Sequence, residues 1–565
     1  MKNIFFLILR RMRRPLILLI SVYAIAVLGL VLIPGQNAKG EPWSMDFFHA
    51  FYFVSFMGST IGFGELPYPF TDGQRMWTLF SIYASVITWL YAIGSLLSLI
   101  QEPAFRQAVI RSVFQRAVKR IREPFYLICG YGDTGSKLVH ALAKYDTHSV
   151  VIGDDQDRLN ELEIGTTHLF VPAICADASD PSILADAGLN NHYCKGLIAL
   201  TNNDEINLKI AITGKLLNTS LPVISRSDNH DTGLNIASFG TEYIINPYES
   251  FANRLAIALQ SPGIYLLDQW LTGAPGSTLT DPVFPPRGKW ILCGFGRFGK
   301  AVYHKLTAEN IPVQVVEADP DTTHPPAGTV IDRGTEADAL LQAGIQEAVG
   351  IVAGTDVDAN NLSIIITAKM LNPELFCVAR QNNQENQPIF QKAGLQLITQ
   401  RSEIIARKIL SLLQNPLLAD FLIAIRSQEE PWADQLLSKI CTVTDDLIPV
   451  NWIVTINESD SPAICNKLRE DEPLSLVILQ NHPQQRDIQL PCVPIMLRRN
   501  HDSILTPEST TALKVGDQIL FCGRDQARKQ MQWTQNVTDY LDYVITGKPR
   551  PTIRLPAWLR KKINS

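Results

Sequence analysis

At 565 residues the chain is too long for one core and calls for several domains. A hydrophobic content of 46% and a mean hydropathy of +0.05 are high for a soluble protein and low for a polytopic one, so a small membrane part carrying a large soluble part is expected. The net charge of −5 gives no basis for nucleic acid as a partner, and the nine cysteines lack CxxC or Cys/His zinc spacing, which argues for reduced thiols and a cytoplasmic soluble part.

Residues 1–14 begin apolar and end in Arg10, Arg11, Arg13 and Arg14; positive charge beside a membrane segment marks the cytoplasmic side. Residues 15–33 carry no charge and reach roughly 28 Å as a helix, enough to cross once as an outer helix. No small-residue cleavage site follows that would make the segment a signal peptide. After a polar loop holding Trp43, residues 46–57 are apolar, aromatic and too short to span, which suits a re-entrant pore helix. Asp46 stands at its positive end, and its negative end would face a cation in the pore. Next comes Gly58-Ser59-Thr60-Ile61-Gly62-Phe63-Gly64-Glu65. Its alternating glycines would let successive carbonyls face one axis and replace the water shell of a potassium ion. Turn residues lead to an uncharged inner helix over 76–100, with Trp77, Trp89 and Tyr91 as packing or interfacial aromatics. Arg106, Arg111, Arg116, Lys119, Arg120 and Arg122 crowd the linker 101–124, so both termini are expected in the cytoplasm of a multi-pass protein of the cell (inner) membrane.

Thr60-Ile61-Gly62-Phe63-Gly64 resembles the filter of potassium channels, Thr-Val-Gly-Tyr-Gly, with Ile for Val and Phe for Tyr. The resemblance implies a homotetramer in the lipid bilayer, with K+ as the permeant ion. The ion would be held by the carbonyls of Thr60, Ile61, Gly62 and Phe63, together with the Thr60 hydroxyl. It also puts Glu65, where the family generally has Asp, in a carboxylate ring at the outer mouth. Neither span carries regularly spaced arginines, so no intrinsic voltage sensor is expected. Where related inner helices often have a hinge glycine this chain reads Tyr83-Ala84-Ser85, and Gly94 lies deeper, at a position suited to close helix packing.

The soluble part is an internal duplication. Phe125–Cys129 precedes Gly130-Tyr131-Gly132-Asp133-Thr134-Gly135, and Lys289–Cys293 precedes Gly294-Phe295-Gly296-Arg297-Phe298-Gly299. Each is an apolar strand, a GxGxxG loop and a helical pattern. Thr201-x-x-Asp204-x-x-Asn207 recurs as Thr355-x-x-Asp358-x-x-Asn361, and strands ending in Arg226 and Arg380 follow. Alternating strands and helices imply parallel sheets covered on both faces. These units resemble the RCK domain, the TrkA-N-like regulator of potassium conductance, and with the pore the resemblance covers most of residues 15–530.

A dinucleotide site needs glycines for close phosphate approach, a helix N-terminus, and an acid closing the second strand for the ribose. The second unit offers Gly294, Gly296, Gly299, Arg297, Phe298 and Glu317; in the first, beside Gly130, Gly132 and Gly135, the acid's position is Gly153, with Asp154 and Asp155 just beyond. Asp177 matches an acid of the family before Ala187-Gly188, where the second unit has Arg333. The chemistry therefore favours a regulatory nucleotide, NAD or ADP/ATP, in the second unit. Thr201, Asp204, Thr355 and Asp358 read equally as helix caps or as ligand contacts. Asp154, Asp155, Asp177, Asp180, Glu317 and Asp319 are the carboxylates available to Ca2+ or another divalent ion.

The expected division is a pore domain over 15–100, a gating linker over 101–124 and a first Rossmann-like unit over 125–250. Crossover helices and a Pro/Gly-rich linker fill 251–288, a second unit 289–402 and further crossover helices 403–440. A small α/β subdomain over 441–530 would carry strands at 452–456, 475–479 and 518–523, and a tail over 531–565 includes the basic stretch from Arg550 to Lys562. The fold class is a membrane α-helical pore fused to two α/β Rossmann-like units and that subdomain. The function expected is a ligand-gated potassium channel, not an enzyme, opened or closed by a nucleotide-binding ring. The alternatives are a membrane-anchored NAD-dependent oxidoreductase, for which no catalytic acid or base stands out, and a nucleotide-sensing regulator of a separate potassium transporter.

Overall fold

The computed structural model describes residues 2–165, 168–273, 275–278, 284–500 and 502–548, and the basic stretch from Arg550 to Lys562 lies outside them. In the membrane unit, α1 (Lys2–Leu32) continues upstream of the span expected from residue 15 and passes through Pro15. A two-residue hairpin pairs Gly35–Gln36 with Pro42–Trp43. The short helix α2 (Phe47–Gly58) starts where the Asp46 carboxylate accepts the His49 N–H at 2.7 Å. Helix α3 (Asp72–Gln101) begins in a capping box of Thr71 and Gln74, ahead of the expected residue 76. The linker expected over 101–124 is mostly a helix of its own, α4 (Pro103–Arg120), opened by Pro103. Two helical segments, Met12–Leu32 and Asp72–Gln101, are long and apolar enough to cross a membrane.

Helices α1 and α3 pack together, and α3 buries Ser81, Ser85, Thr88 and Ala92 at three- and four-residue spacing, with Gln74 two turns before them. Trp77 donates its indole N–H to the Ala26 carbonyl at 3.0 Å, and Trp89 donates to the Tyr23 hydroxyl at 2.8 Å. The close approaches are at Gly29, against the Trp77 ring, and at Gly58, against the Tyr23 hydroxyl, whereas a Cβ on Gly94 would meet nothing within 4 Å. The close packing expected at Gly94 is thus found at other glycines. Beneath α2, Ala50, Phe53, Val54 and Phe56 share a core with Val27, Leu30 and Phe70.

The soluble part opens with β1 (Phe125–Cys129), β2 (His148–Gly153), β3 (Ala173–Cys175), β4 (Cys194–Ala199), β5 (Val223–Arg226) and β6 (Tyr243–Ile245), in the order β3-β2-β1-β4-β5-β6. The second sheet repeats this with β7 (Trp290–Cys293), β8 (Val313–Glu317), β9 (Val330–Ile331), β10 (Gly350–Ala353), β11 (Phe376–Gln381) and β12 (Leu397–Gln400), ordered β9-β8-β7-β10-β11-β12 and parallel throughout. Near-continuous apolar runs such as Ile291–Cys293 are buried on both faces, as central parallel strands require.

Three helices of the first unit position its site: α5 (Asp133–Lys144), α6 (Gln156–Ile164) and α7 (Asp204–Leu217). After β6 comes α8 (Pro247–Gln260). The second unit contributes α9 (Arg297–Ala308), α10 (Asp358–Leu371) and, after β12, α11 (Arg401–Gln414). Each crossover helix leaves its own unit: α8 packs on α9, and α11 packs on α5. Phe251, Leu255 and Leu259 of α8 accordingly lie in the same core as Trp290, Phe298 and Val302.

The last subdomain is antiparallel, β13 (Val450–Thr455), β14 (Cys492–Arg499), β15 (Asp502–Leu505) and β16 (Gln518–Gly523) in the order β13-β16-β14-β15. The strand expected at 475–479 is instead a helical turn, Val477–Gln480, entered where the Leu476 and Val477 N–H groups bond the Thr511 and Ser509 carbonyls at 2.9 Å each. A short apolar run fits a buried turn as well as a strand. The expected tail holds the end of α12 (Asp525–Asn536) and all of α13 (Thr538–Thr546), which send Met531, Leu541 and Val544 into the subdomain core.

Candidate functional site

The first candidate is the segment that ends α2. Thr60 N–H bonds the Met57 carbonyl and Ile61 N–H the Phe56 carbonyl, at 3.1 and 3.0 Å. This is a Schellman ending with Thr60 in the left-handed position usually given to glycine. Thr60, Gly62 and Gly64 have φ of 63°, 68° and 98°, while the intervening Ile61 and Phe63 stay out of that region. In an extended chain carbonyls alternate sides; reversing the sign of φ at every second residue turns them back toward one side. Thr60, Gly62 and Gly64 carry that alternation of sign, at a cost of about 1–2 kcal/mol for the left-handed threonine. The Phe63 ring lies edge-on to Phe56 with centroids 5.5 Å apart. Behind the segment lies a cleft of about 510 Å³ whose lining includes Phe56, Thr60, Gly62, Gly64, Arg75 and Leu79.

Glu65, expected in a carboxylate ring at the outer mouth, is paired within its own chain. Its oxygens accept from Arg75 Nε at 2.9 Å and Nη2 at 3.3 Å, and from the Phe70 N–H at 2.8 Å. It forms a strut between the end of the Thr60–Gly64 segment and the first turns of α3.

The second candidate is built on the glycine loops. A Cβ on Gly135 would lie 2.2 Å from the Gly130 carbonyl oxygen, and one on Gly299 2.0 Å from that of Gly294, so these glycines make the turns themselves. Gly132 and Gly296 are different: a Cβ would meet nothing within 4 Å, and they precede α5 and α9 without a side-chain cap. Each loop therefore presents uncapped N–H groups at a helix N-terminus, the arrangement that receives a phosphate.

The two loops face different surroundings. A cavity of about 590 Å³ opens over the first, lined by Tyr131, Gly132, Asp133, Thr134, Asp154, Asp155, Gln156, Arg158, Leu200, Asn202 and Arg226. Its far wall, Gln381, Asn382, Gln384, Gln400, Arg401 and Ser402, comes from the second unit. The repeat that aligns Thr201 with Thr355 and Arg226 with Arg380 also aligns Ser402 with Tyr248. Where the first loop looks across to a serine, the second meets a tyrosine ring. Tyr248 is 3% exposed; the guanidinium carbons of Arg297 and Arg380 lie 5.8 and 5.2 Å from its ring centroid, and the Phe298 ring 6.2 Å away. Glu317 is turned inward as well, accepting the Phe295 N–H and, at 2.9 Å, the Asp319 N–H. Arg380 also pairs with Asp356 at 2.6 Å. Residue chemistry pointed to the second loop; the cavity of about 590 Å³ opens over the first.

Several other expected contacts have structural duties. The Asn203 side chain caps α7, and Thr201 accepts the Asn203 N–H, while the Asp204 carboxylate binds the N–H groups of Asp228 and Asn229. Thr355 and Asp358 repeat this with Val357, Asn382 and Asn383. Asn207 and Asn361, fully buried, tie the Thr201 and Thr355 loops to the Arg226 and Arg380 carbonyls. Asp177 is exposed, accepts the Ser179 N–H at 2.8 Å and does not line the cavity. Asp155, Asp180 and Asp319 each accept an N–H at the start of a helical segment. Among the described residues no group of three His, Cys, Asp or Glu side chains is placed to hold a metal ion.

Residue patterns alone had not marked Arg158, Asp228 or Arg401. Arg158 pairs with Asp133 at 2.7 Å. Asp228, 5% exposed, takes both arms of Arg226 at 2.8 Å and Arg401 Nη1 at 3.2 Å, and Arg401 also donates to the Tyr248 hydroxyl at 3.3 Å. Burial pushes the Asp228 carboxyl up, but the Arg226 fork, aided by the charges of Arg401 and Arg297, outweighs it and holds the group below the usual carboxylate range. The aligned repeat was the signal available: it places Arg401 and Ser402 one crossover away from the first loop.

A family description of an ion channel matches residues 16–102, and one of the TrkA-N domain matches twice, at 126–247 and 290–400. Potassium channel protein 1 of Methanocaldococcus jannaschii is 29% identical over 209 residues, 37% of this chain and 60% of that protein. The voltage-gated potassium channel Kch of Escherichia coli is 23% identical over 203 residues, 34% of this chain and 44% of Kch. The matches thus span less than two thirds of either relative. Among solved structures, the GsuK channel bound to NAD is 16% identical with a TM-score of 0.48, covering 95% of this chain and 100% of that one.

Proposed function

The chain belongs to the two-span potassium channels that carry RCK (TrkA-N) domains, and on that premise we propose that it is itself a ligand-gated potassium channel, a homotetramer of the cell membrane with cytoplasmic termini. The observation that carries the reading is the run Thr60–Gly64, left-handed at every second residue, at the end of a short helix between two membrane-crossing helices. Four copies surround one ion path, and carbonyls of Thr60, Ile61, Gly62 and Phe63 replace water around K+.

The regulatory ligand is an adenine nucleotide, NAD or ADP, bound at the first unit. The support is the open cavity over Gly132, the uncapped start of α5, and Arg158 and Arg226 on its walls. Asp154, just past β2, is the carboxylate available to a ribose. Gating is a population shift: a nucleotide that prefers one arrangement of the soluble units biases it, and α4 carries the bias to α3. The channel names of the relatives favour transport over redox catalysis.

The test is potassium flux through purified protein in liposomes, with and without NAD or ADP. Flux that responds to nucleotide meets the proposal. Flux indifferent to both keeps the pore and removes the nucleotide, and absence of flux with sound, folded protein overturns the channel reading.

A further inference from the structure

The wall of the cavity opposite the first glycine loop belongs to the other Rossmann-like unit, and its cationic group is Arg401, the first residue of α11. Lys137 of α5 reaches across to Gln400 at 3.0 Å, and Gln400 in turn holds Gln381 at 2.7 Å. Arg401 is bound by Asp228 and the Tyr248 hydroxyl through a single nitrogen, Nη1, and its side chain is 36% exposed. Asp228, by contrast, keeps the two-armed bond from Arg226 whether or not Arg401 stays. The pairing is lopsided: Arg401 can leave Asp228 without stranding a buried carboxylate, and it stands at a cavity whose opposite side is an uncapped helix N-terminus.

We propose that Arg401 completes the first unit's site from the second unit, leaving Asp228 to bind the phosphate of a ligand seated on the Gly132 loop. The proposal rests on the nucleotide reading above and adds the residue by which occupancy at one unit is felt by the other. A phosphate held between α5 and Arg401 bonds both units at once. Because Arg401 begins α11, which packs along α5, the ligand's preference for the arrangement in which Arg401 reaches the phosphate is the coupling free energy between site and ring. Asp228 is then a built-in competitor, an acid taking the place of the anion while the site is empty.

The experiment measures ADP, NAD and adenosine binding to the full chain by titration calorimetry, in wild type, Arg401→Gln, Arg401→Lys and Asp228→Asn. One charge-assisted bond to phosphate is worth about tenfold or more in affinity. Arg401→Gln should therefore weaken ADP about tenfold and leave adenosine, which has no phosphate, unchanged; Arg401→Lys should recover part of the loss. Asp228→Asn removes the competitor's charge and should tighten ADP several-fold, an effect opposite in sign to that of a merely disrupted fold. ADP affinity within twofold of wild type in Arg401→Gln, or an equal loss for ADP and adenosine, overturns the proposal while the nucleotide reading stands. Failure of the wild type to bind ADP or NAD at all overturns both.

Discussion

Replacing Tyr248 by serine gives the second glycine loop the opposite wall that the first already has. The cost follows from what the ring touches. Tyr248 is 3% exposed and packs in the core that holds Phe298, Val302 and Trp290, and removing a buried aromatic ring typically costs about 3–5 kcal/mol. Loss of the ring contacts to Arg297 and Arg380 adds to this, while Arg380 keeps Asp356 as a partner. A destabilisation of about 4 kcal/mol is expected in the absence of ligand. The gain is space beside Gly296 and two arginines with no ring to cover, so ADP should bind to about two sites per chain instead of one. Because a ligand stabilises by about 2.7 kcal/mol at a hundred times its dissociation constant, ADP should raise the melting temperature of Tyr248→Ser more than that of wild type. Calorimetric stoichiometry and thermal unfolding with and without ADP read both effects. The reasoning is refuted if the variant loses stability yet still binds one ADP per chain with no extra rescue, or if wild type already binds two.

Three further outcomes follow from the same geometry. Gly62 stands at φ 68° with open space around it, so Gly62→Ala strains the backbone by about 1–2 kcal/mol per copy rather than clashing; potassium selectivity, read from reversal potentials, should be lost while the soluble part melts as before. Asn207→Ala leaves the Thr201 and Arg226 carbonyls without their buried donor and should cost about 2–4 kcal/mol, and Asn361→Ala should cost about the same because its bonds repeat those of Asn207; unequal losses in denaturant unfolding would break the equivalence of the repeats. Asp228 is held below the usual aspartate range, so its contribution is complete above the unfolded value of about 3.9 and is lost as pH falls through the lower folded value; the stability gap between wild type and Asp228→Asn should therefore be full at neutral pH and shrink as pH falls below about 4, and a gap that widens on acidification would refute the assignment.

The membrane unit and the duplication were legible because each is written in local pattern. Uncharged runs set the spans, and Thr60–Gly64 can be read as a filter without any partner residue. Both glycine loops announce their turns through Gly135 and Gly299, whose positions tolerate no Cβ. What was not legible is which loop faces open space. That depends on Ser402 and Tyr248, which reach the loops only because α8 and α11 each cross to the other unit, and no periodicity encodes a crossing. Residue chemistry at the second loop, with Arg297 and Glu317, is better suited to a nucleotide than that at the first, with Asp133. In the structure the Arg297 guanidinium lies 5.8 Å from the centre of the Tyr248 ring, and Glu317 accepts the Phe295 and Asp319 amides. The helical turn at 477–480 escaped for a different reason: Ser475-Leu476-Val477-Ile478-Leu479 has the composition of a strand, and its backbone partners at Ser509 and Thr511 lie far along the chain.

The same distinction between a residue's type and its partner decides what Glu65 does. Read alone, an acid after the filter segment concentrates cations, and four of them would raise the local potassium concentration at the mouth. With Arg75 bound to both carboxylate oxygens, the field of the acid is largely offset within a few ångströms, and the Phe70 amide turns the carboxylate into a clamp on the loop. The two accounts differ in what they predict for Arg75. If Glu65 acts as a free charge, Glu65→Gln lowers single-channel current at low ionic strength and Arg75→Gln changes little. If the pair is a strut, Arg75→Gln uncovers the acids and should raise current at low salt by about twofold, an effect that fades as salt shortens the screening length to about 8 Å near 0.15 M. Glu65→Gln should then leave Arg75 as an uncompensated cation, lowering current at low salt, and also weaken the hold on the loop, seen as shorter or less selective openings. Single-channel recordings of both variants at two salt concentrations separate the accounts, and a low-salt current for Arg75→Gln no higher than that of wild type would refute the strut.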